Sequence, residues 1–214
     1  MTNFKTTPVL LAGALLATGH LAARADATLD PLGWTALGNA LQQPVVLTLS
    51  TAYDIDDDAN FLPTDTPAVG VADLEFAASL APYTLDLSET DYATEGSIAI
   101  RSITVNAGDV LRFNWSLTSQ DALYPDRAFM VLGSQVITLA TAAQAPTGPY
   151  GVVHPFAQGG SYLLGVGVVD VVDYIGVSTL TVSNLQISPV PEPGTVGLLL
   201  AGLASLAWVA RRRG

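Results

Sequence analysis

The sequence predicts an all-β chain: an antiparallel β-sandwich, jelly-roll-like, flanked by an N-terminal signal helix and a C-terminal transmembrane helix. Three observations predict it. Short β-rich runs recur between 26 and 188, broken by glycine, proline, asparagine and aspartate. Two dense apolar runs sit at the extreme ends. The 214 residues are 50% apolar and only 13% charged, which excludes a disordered acidic chain and suits one domain with tails. The expected division is 1–25 signal, 26–188 β-sandwich ectodomain and 189–214 C-terminal anchor.

The first segment has the parts of a secretory signal. Lys5 supplies a modest positive start, Pro8 to Gly19 an apolar stretch, and Ala23-Arg24-Ala25 the small residues a signal peptidase reads. Cleavage is expected between Ala25 and Asp26.

The middle carries seven clear strand candidates: Val45–Ser50, Ser97–Val105, Val110–Leu117, Ala128–Leu132, Gln135–Ala140, Tyr162–Asp170 and Thr179–Ile187. Within 98–105 side chains alternate with period two, one face the more apolar. In the next strand Leu111, Phe113, Trp115 and Leu117 fall on one face and Arg112, Asn114 and Ser116 on the other. Asn106-Ala107-Gly108-Asp109 between them reads as a hairpin connection, with a glycine free to take positive φ. No amphipathic helix is expected here, and 52–96, rich in prolines and acids, is expected as coil.

Charge narrows the function. The net charge is −11, but Lys5, Arg24 and Arg211, Arg212 and Arg213 lie in the end segments. Residues 26–189 hold eighteen acids against Arg101, Arg112 and Arg127, a net of −15 with no lysine. Such a field repels phosphate backbones, so nucleic acid is not an expected partner. Cysteine is absent, which removes thiolate nucleophiles and thiolate metal sites. His154 is the single imidazole after the signal, so a multi-histidine metal centre is impossible within one chain.

Four constellations could carry chemistry. Asp54, Asp56, Asp58 and Asn60 place oxygens at alternating positions with Asp65 beyond, the ligand spacing of a calcium loop. Ala59 stands where such a loop needs glycine, and Asp65 where a bidentate glutamate is usual; a solvated acidic loop is the other reading. Asp170 and Asp173 could be strand-end ligands, paired glycosidase carboxylates or turn residues. Tyr53, Tyr83, Tyr92, Tyr124, Tyr150 and Tyr174 lie in turn-rich sequence and could stack on sugars or pin loops. His154 lacks a nucleophile motif beside it.

The C-terminus closes the chain. Val190-Pro191-Glu192-Pro193 is followed by an uncharged run from Gly194 to Ala210, then Arg211-Arg212-Arg213. As a helix this run is roughly 25 Å long, a little under a bilayer core, and is expected to span with Trp208 and the arginines at the interface. The arginines would stay cytoplasmic, placing the body outside. The prolines of the triplet keep it extended for a protease.

This tail resembles the PEP-CTERM sorting signal of Gram-negative bacteria, with Pro191, Glu192 and Pro193 as the triplet and Arg211, Arg212 and Arg213 as the membrane-stop cluster. The resemblance implies an exosortase as partner, inner-membrane residence before processing, and release or transfer to the cell surface. A second resemblance spans about 95–187. Ile103-Thr104-Val105-Asn106-Ala107-Gly108-Asp109, Leu111-Arg112-Phe113-Asn114-Trp115, Ala128-Phe129-Met130-Val131-Leu132 and Gly165-Val166-Gly167-Val168-Val169-Asp170 are similar to the extracellular β-sandwich of choice-of-anchor surface proteins. It implies fold and location.

The reading is a non-enzymatic exported protein of the cell surface or extracellular matrix, with exopolysaccharide and Ca2+ as candidate ligands. The alternative is an extracellular polysaccharide hydrolase using two carboxylates. The two differ in what lines the cleft: aspartates at suitable separation for the hydrolase, exposed tyrosines for the binder.

Overall fold

The computed structural model describes residues 26–53, 61–64, 66–86, 90–120, 123–141, 149–189 and 193–213. The signal segment and its Ala23 and Ala25 lie outside the described residues. Two units are distinct, one built on 25–190 and one on the two chain ends.

The larger unit is a sandwich of two antiparallel six-stranded sheets. Its strands are β1 (Ala27–Thr28), β2 (Thr35–Leu37), β3 (Asn39–Gln42), β4 (Val46–Ser50), β5 (Val69–Gly70), β6 (Ala93–Val105), β7 (Val110–Ser119), β8 (Arg127–Leu132), β9 (Gln135–Thr141), β10 (Tyr150–Pro155), β11 (Gly160–Val171) and β12 (Ser178–Ser188). The first sheet runs β10-β7-β12-β4-β3, with β1 also on β12; the second runs β2-β6-β11-β8-β9, with β5 also on β6.

Alternation explains the packing. Leu111, Phe113, Trp115 and Leu117 of β7 point inward, with Leu47 and Leu49 of β4 and Leu180 and Val182 of β12. Ala99, Ile103 and Val105 of β6 and Val166 and Val168 of β11 meet them from the facing sheet. The Ser97 hydroxyl bridges the sheets by donating to the Ser50 carbonyl at 2.6 Å.

The segment 106–109 is not a hairpin, because β6 and β7 belong to different sheets. Period-two patterning fixes which face of each strand is apolar but not whether neighbours pair. Here both apolar faces look into one core, so the chain crosses between the sheets. Asn106 N–H donates to the Asp109 carboxylate at 2.8 Å, and Gly108 takes φ +91°.

Coil was also the wrong expectation for 52–96. β5 leads into a short helix, α1 (Val71–Ala77), and β6 begins four residues before Ser97. Leu74, Ala78, Leu80 and Leu85 cover the outer face of the second sheet against Ile98, Phe129, Val131 and Val169. Buried Glu75 closes the turn by accepting from the Tyr83 and Leu85 amides at 3.0 and 2.9 Å. Gly167 makes room for Phe129: a Cβ there would lie 2.8 Å from the ring's Cε1 and 2.9 Å from the Ser97 carbonyl oxygen.

The C-terminal run forms a helix, α2 (Pro193–Arg213), with Pro193 in the first position, where its missing N–H costs nothing. The Arg212 guanidinium lies 3.8 Å over the Trp208 ring. Among the described residues no helix is long and apolar enough to cross a membrane.

Candidate functional site

The residues expected to carry a site fall into separate places. Asp54, Asp56, Asp58, Asn60 and Asp65 lie outside the described residues, as do Pro191 and Glu192. What is described is the anchor beside the acidic run. Buried Asn39 on β3 donates to the Thr66 carbonyl at 2.9 Å and the Thr64 hydroxyl at 3.0 Å, and accepts from the Leu62 amide at 3.0 Å. Among the described residues no three acidic or histidine groups come together to hold a metal ion.

The acidic strand residues turn inward at one end of the sandwich. Glu95 on β6, Asp170 on β11 and Asp126 just before β8 are 2%, 2% and 0% exposed. The Asp173 carboxylate accepts from the Ile175 amide two residues on, a local turn, while its carbonyl accepts from the Thr94 hydroxyl at 2.9 Å. Arg127 is buried on the other face of the second sheet, and burial lowers its pKa to about 10, partly offset by Asp86 and then Asp91.

The exposed tyrosines divide as well. Tyr53, Tyr92, Tyr124 and Tyr174 sit in the segments that leave or enter the strands at this same end. Tyr83 follows α1. Tyr150 opens β10 and leans on Trp115, ring centres 5.5 Å apart.

The opposite end holds an open cleft of about 460 Å³ that sequence reasoning did not single out, apart from His154. It lies between the β8–β9 turn, the end of β10 and the start of β11. Three rings run through it: His154 meets Phe156 edge-on at 5.3 Å, and Phe156 meets Tyr162 at 5.1 Å. Phe156 is buried and fixed by two backbone hydrogen bonds to the 106–109 corner, from Gly108 N–H to its carbonyl and from its N–H to the Asp109 carbonyl. The Tyr162 hydroxyl donates to the Gln158 carbonyl at 3.0 Å, which sets the ring's tilt. Gly133, at φ +63°, turns β8 into β9 and brings Ser134 and exposed Gln135 to the rim.

The lining therefore combines half-buried ring faces with neutral donors and acceptors, and it includes no carboxylate. Amides and hydroxyls both give and accept hydrogen bonds, so they match ligand hydroxyls. Ring faces offer apolar area with little entropy to lose. Tyr162 was hidden in the sequence because it reads as the opening residue of an apolar strand run, Tyr162–Asp170. Its exposure comes from the turn before it, where Gly159 and Gly160 precede β11.

Comparison with known proteins bears on the other end of the chain. The family described as "PEP-CTERM protein-sorting motif" matches residues 189–213. The chain ends in a PEP-CTERM sorting motif. Such a motif implies an exported protein processed by an exosortase at the cell surface. No curated protein matches the chain. A solved structure described as "CBM4 structure and function" aligns over 74% of this chain and 95% of that one, with a TM-score of 0.36 and 10% identity.

Proposed function

We propose that the chain is exported behind its N-terminal signal and sorted through its PEP-CTERM motif. At the cell surface or in the extracellular matrix its sandwich binds polysaccharide without turning it over. The observation that carries the binding is the cleft around Tyr162, where ring faces and neutral hydrogen-bonding groups converge and no carboxylate intrudes.

A hydrolase finds less support. Hydrolysis of a glycosidic bond by the usual route needs two carboxylates flanking it at about 5–10 Å separation, both open to the chain being cut. Glu95, Asp126 and Asp170 are instead shut away from solvent. Ca2+ remains a proposal for the 54–65 segment, where it would order the loop rather than do chemistry.

The test is a glycan array followed by titration calorimetry on the best neutral oligosaccharide, with a reducing-sugar assay alongside. Tyr162→Ala should weaken binding about tenfold, and no sugar ends should be released. Unchanged affinity in Tyr162→Ala would sink the cleft reading, and steady release of reducing ends would favour the hydrolase.

A further inference from the structure

A second groove, of about 380 Å³, lies on the outer face of the first sheet, across β10, β7 and β12. Among all the strands of that sheet Arg112 is the one Asp, Glu, Lys or Arg side chain. The acids of the described chain sit in α1, in the second sheet or in connecting segments. A chain with a strongly negative body thus presents one sheet face on which, among the described residues of its strands, the only fixed charge is positive.

Groups around Arg112 are neutral and hydrogen-bonding. β7 places Arg112 and Asn114 two positions apart on the outward side, roughly 7 Å along the strand. Arg112 is paired with Gln186 of β12 on one side and with Val153 of β10 on the other. Gly151 is paired with Asn114 and leaves the floor there bare: a Cβ would only come to 3.8 Å from the Asn114 Oδ1. β12 carries an extra residue between Ser183 and Gln186, and Asn184 takes φ +56° in this bulge. Bulges re-aim side chains, and asparagine tolerates the left-handed region better than most residues. The result is an exposed Asn184 at the groove wall. Among the described residues none of Arg112, Asn114, Asn184 and Gln186 spends its side chain on an internal hydrogen bond or ion pair.

We infer that this groove is a second binding site, distinct from the Tyr162 cleft, for an acidic sugar residue, a hexuronate unit within a polysaccharide. Its carboxylate meets the planar fork of Arg112, which matches two carboxylate oxygens at once. Asn114, Asn184 and Gln186 supply donors and acceptors for ring hydroxyls. A single cation among three amides suits one carboxylate among several hydroxyls, rather than a run of acidic peptide side chains.

The experiment is an NMR titration of the full chain in detergent with trigalacturonate and, separately, a neutral galactose trisaccharide. The acidic trisaccharide should bind more tightly, shift resonances of β7, β10 and β12, and weaken as salt rises. R112Q should reduce its affinity tenfold or more while leaving the melting temperature unchanged, since the side chain is exposed. Gln186→Ala should weaken it about threefold and serves if R112Q fails to fold. Equal affinity for the two trisaccharides, or affinity retained in a folded R112Q or Gln186→Ala, would overturn the inference. Tyr162→Ala should leave trigalacturonate binding unaltered, so loss of the cleft reading does not carry this one with it.

Discussion

At the scale of single residues, Arg127 is the most instructive side chain. It is buried where β8 begins, and its lowered pKa records a cation held in a place that disfavours charge. Because the folded pKa lies below the unfolded one, the charge destabilises the fold at every pH below about 10. That penalty is relieved only as pH rises from about 10 toward the ordinary arginine value. Asp86 and Asp91 offset part of it. Removing a partner is therefore worse than removing the cation. Asp86→Asn is expected to lower stability by roughly 1–3 kcal/mol in urea denaturation, whereas Arg127→Met should be neutral or stabilising. Arg127→Met unfolding at markedly lower urea than Asp86→Asn would refute this ordering.

At the scale of elements, the second sheet is covered on both faces, and α1 with the segment after it is what covers the outside. Leu74→Ala, at a fully buried position of that layer, is expected to cost about 2–5 kcal/mol and to expose β6 amides to hydrogen exchange. A loss below about 1 kcal/mol would mean the layer is not packed as described. The same layer shows what sequence could and could not disclose. β7 was legible because its four inward residues alternate strictly with polar ones and face solvent on the other side. β11 was legible as a near-continuous apolar run, and that continuity follows from its burial on both faces. α1 was not legible: seven residues give barely two turns, and Phe76 stands exposed among them. The crossing at 106–109 was misread because pairing depends on where the partner strand lies, which alternation does not encode. The cleft at Tyr162 was hidden for a related reason. Tyr162 reads as the start of one strand candidate while His154 and Phe156 belong to none of the seven, and only the turn between them sets their rings side by side.

At the scale of the whole molecule, chemistry is sorted by place. Several carboxylates are turned inward at one end of the sandwich, neutral aromatic and amide groups line the other, and the first sheet's outer face carries one arginine. Under the proposed function, self-repulsion among so many acids would keep the body dispersed in a polysaccharide matrix while its nearly uncharged surfaces engage the sugar. The C-terminal motif states the address: the triplet at 191–193, a helix, and three arginines. Destination and fold thus agree, since cysteine-free sandwiches with large cores need no disulfide outside the cell. Intact-mass spectrometry of the protein recovered from the cells that make it should give a chain beginning near Asp26 and cut near Pro191–Pro193. Recovery of the uncut 214-residue chain from the cytosol, with both termini intact, would contradict it.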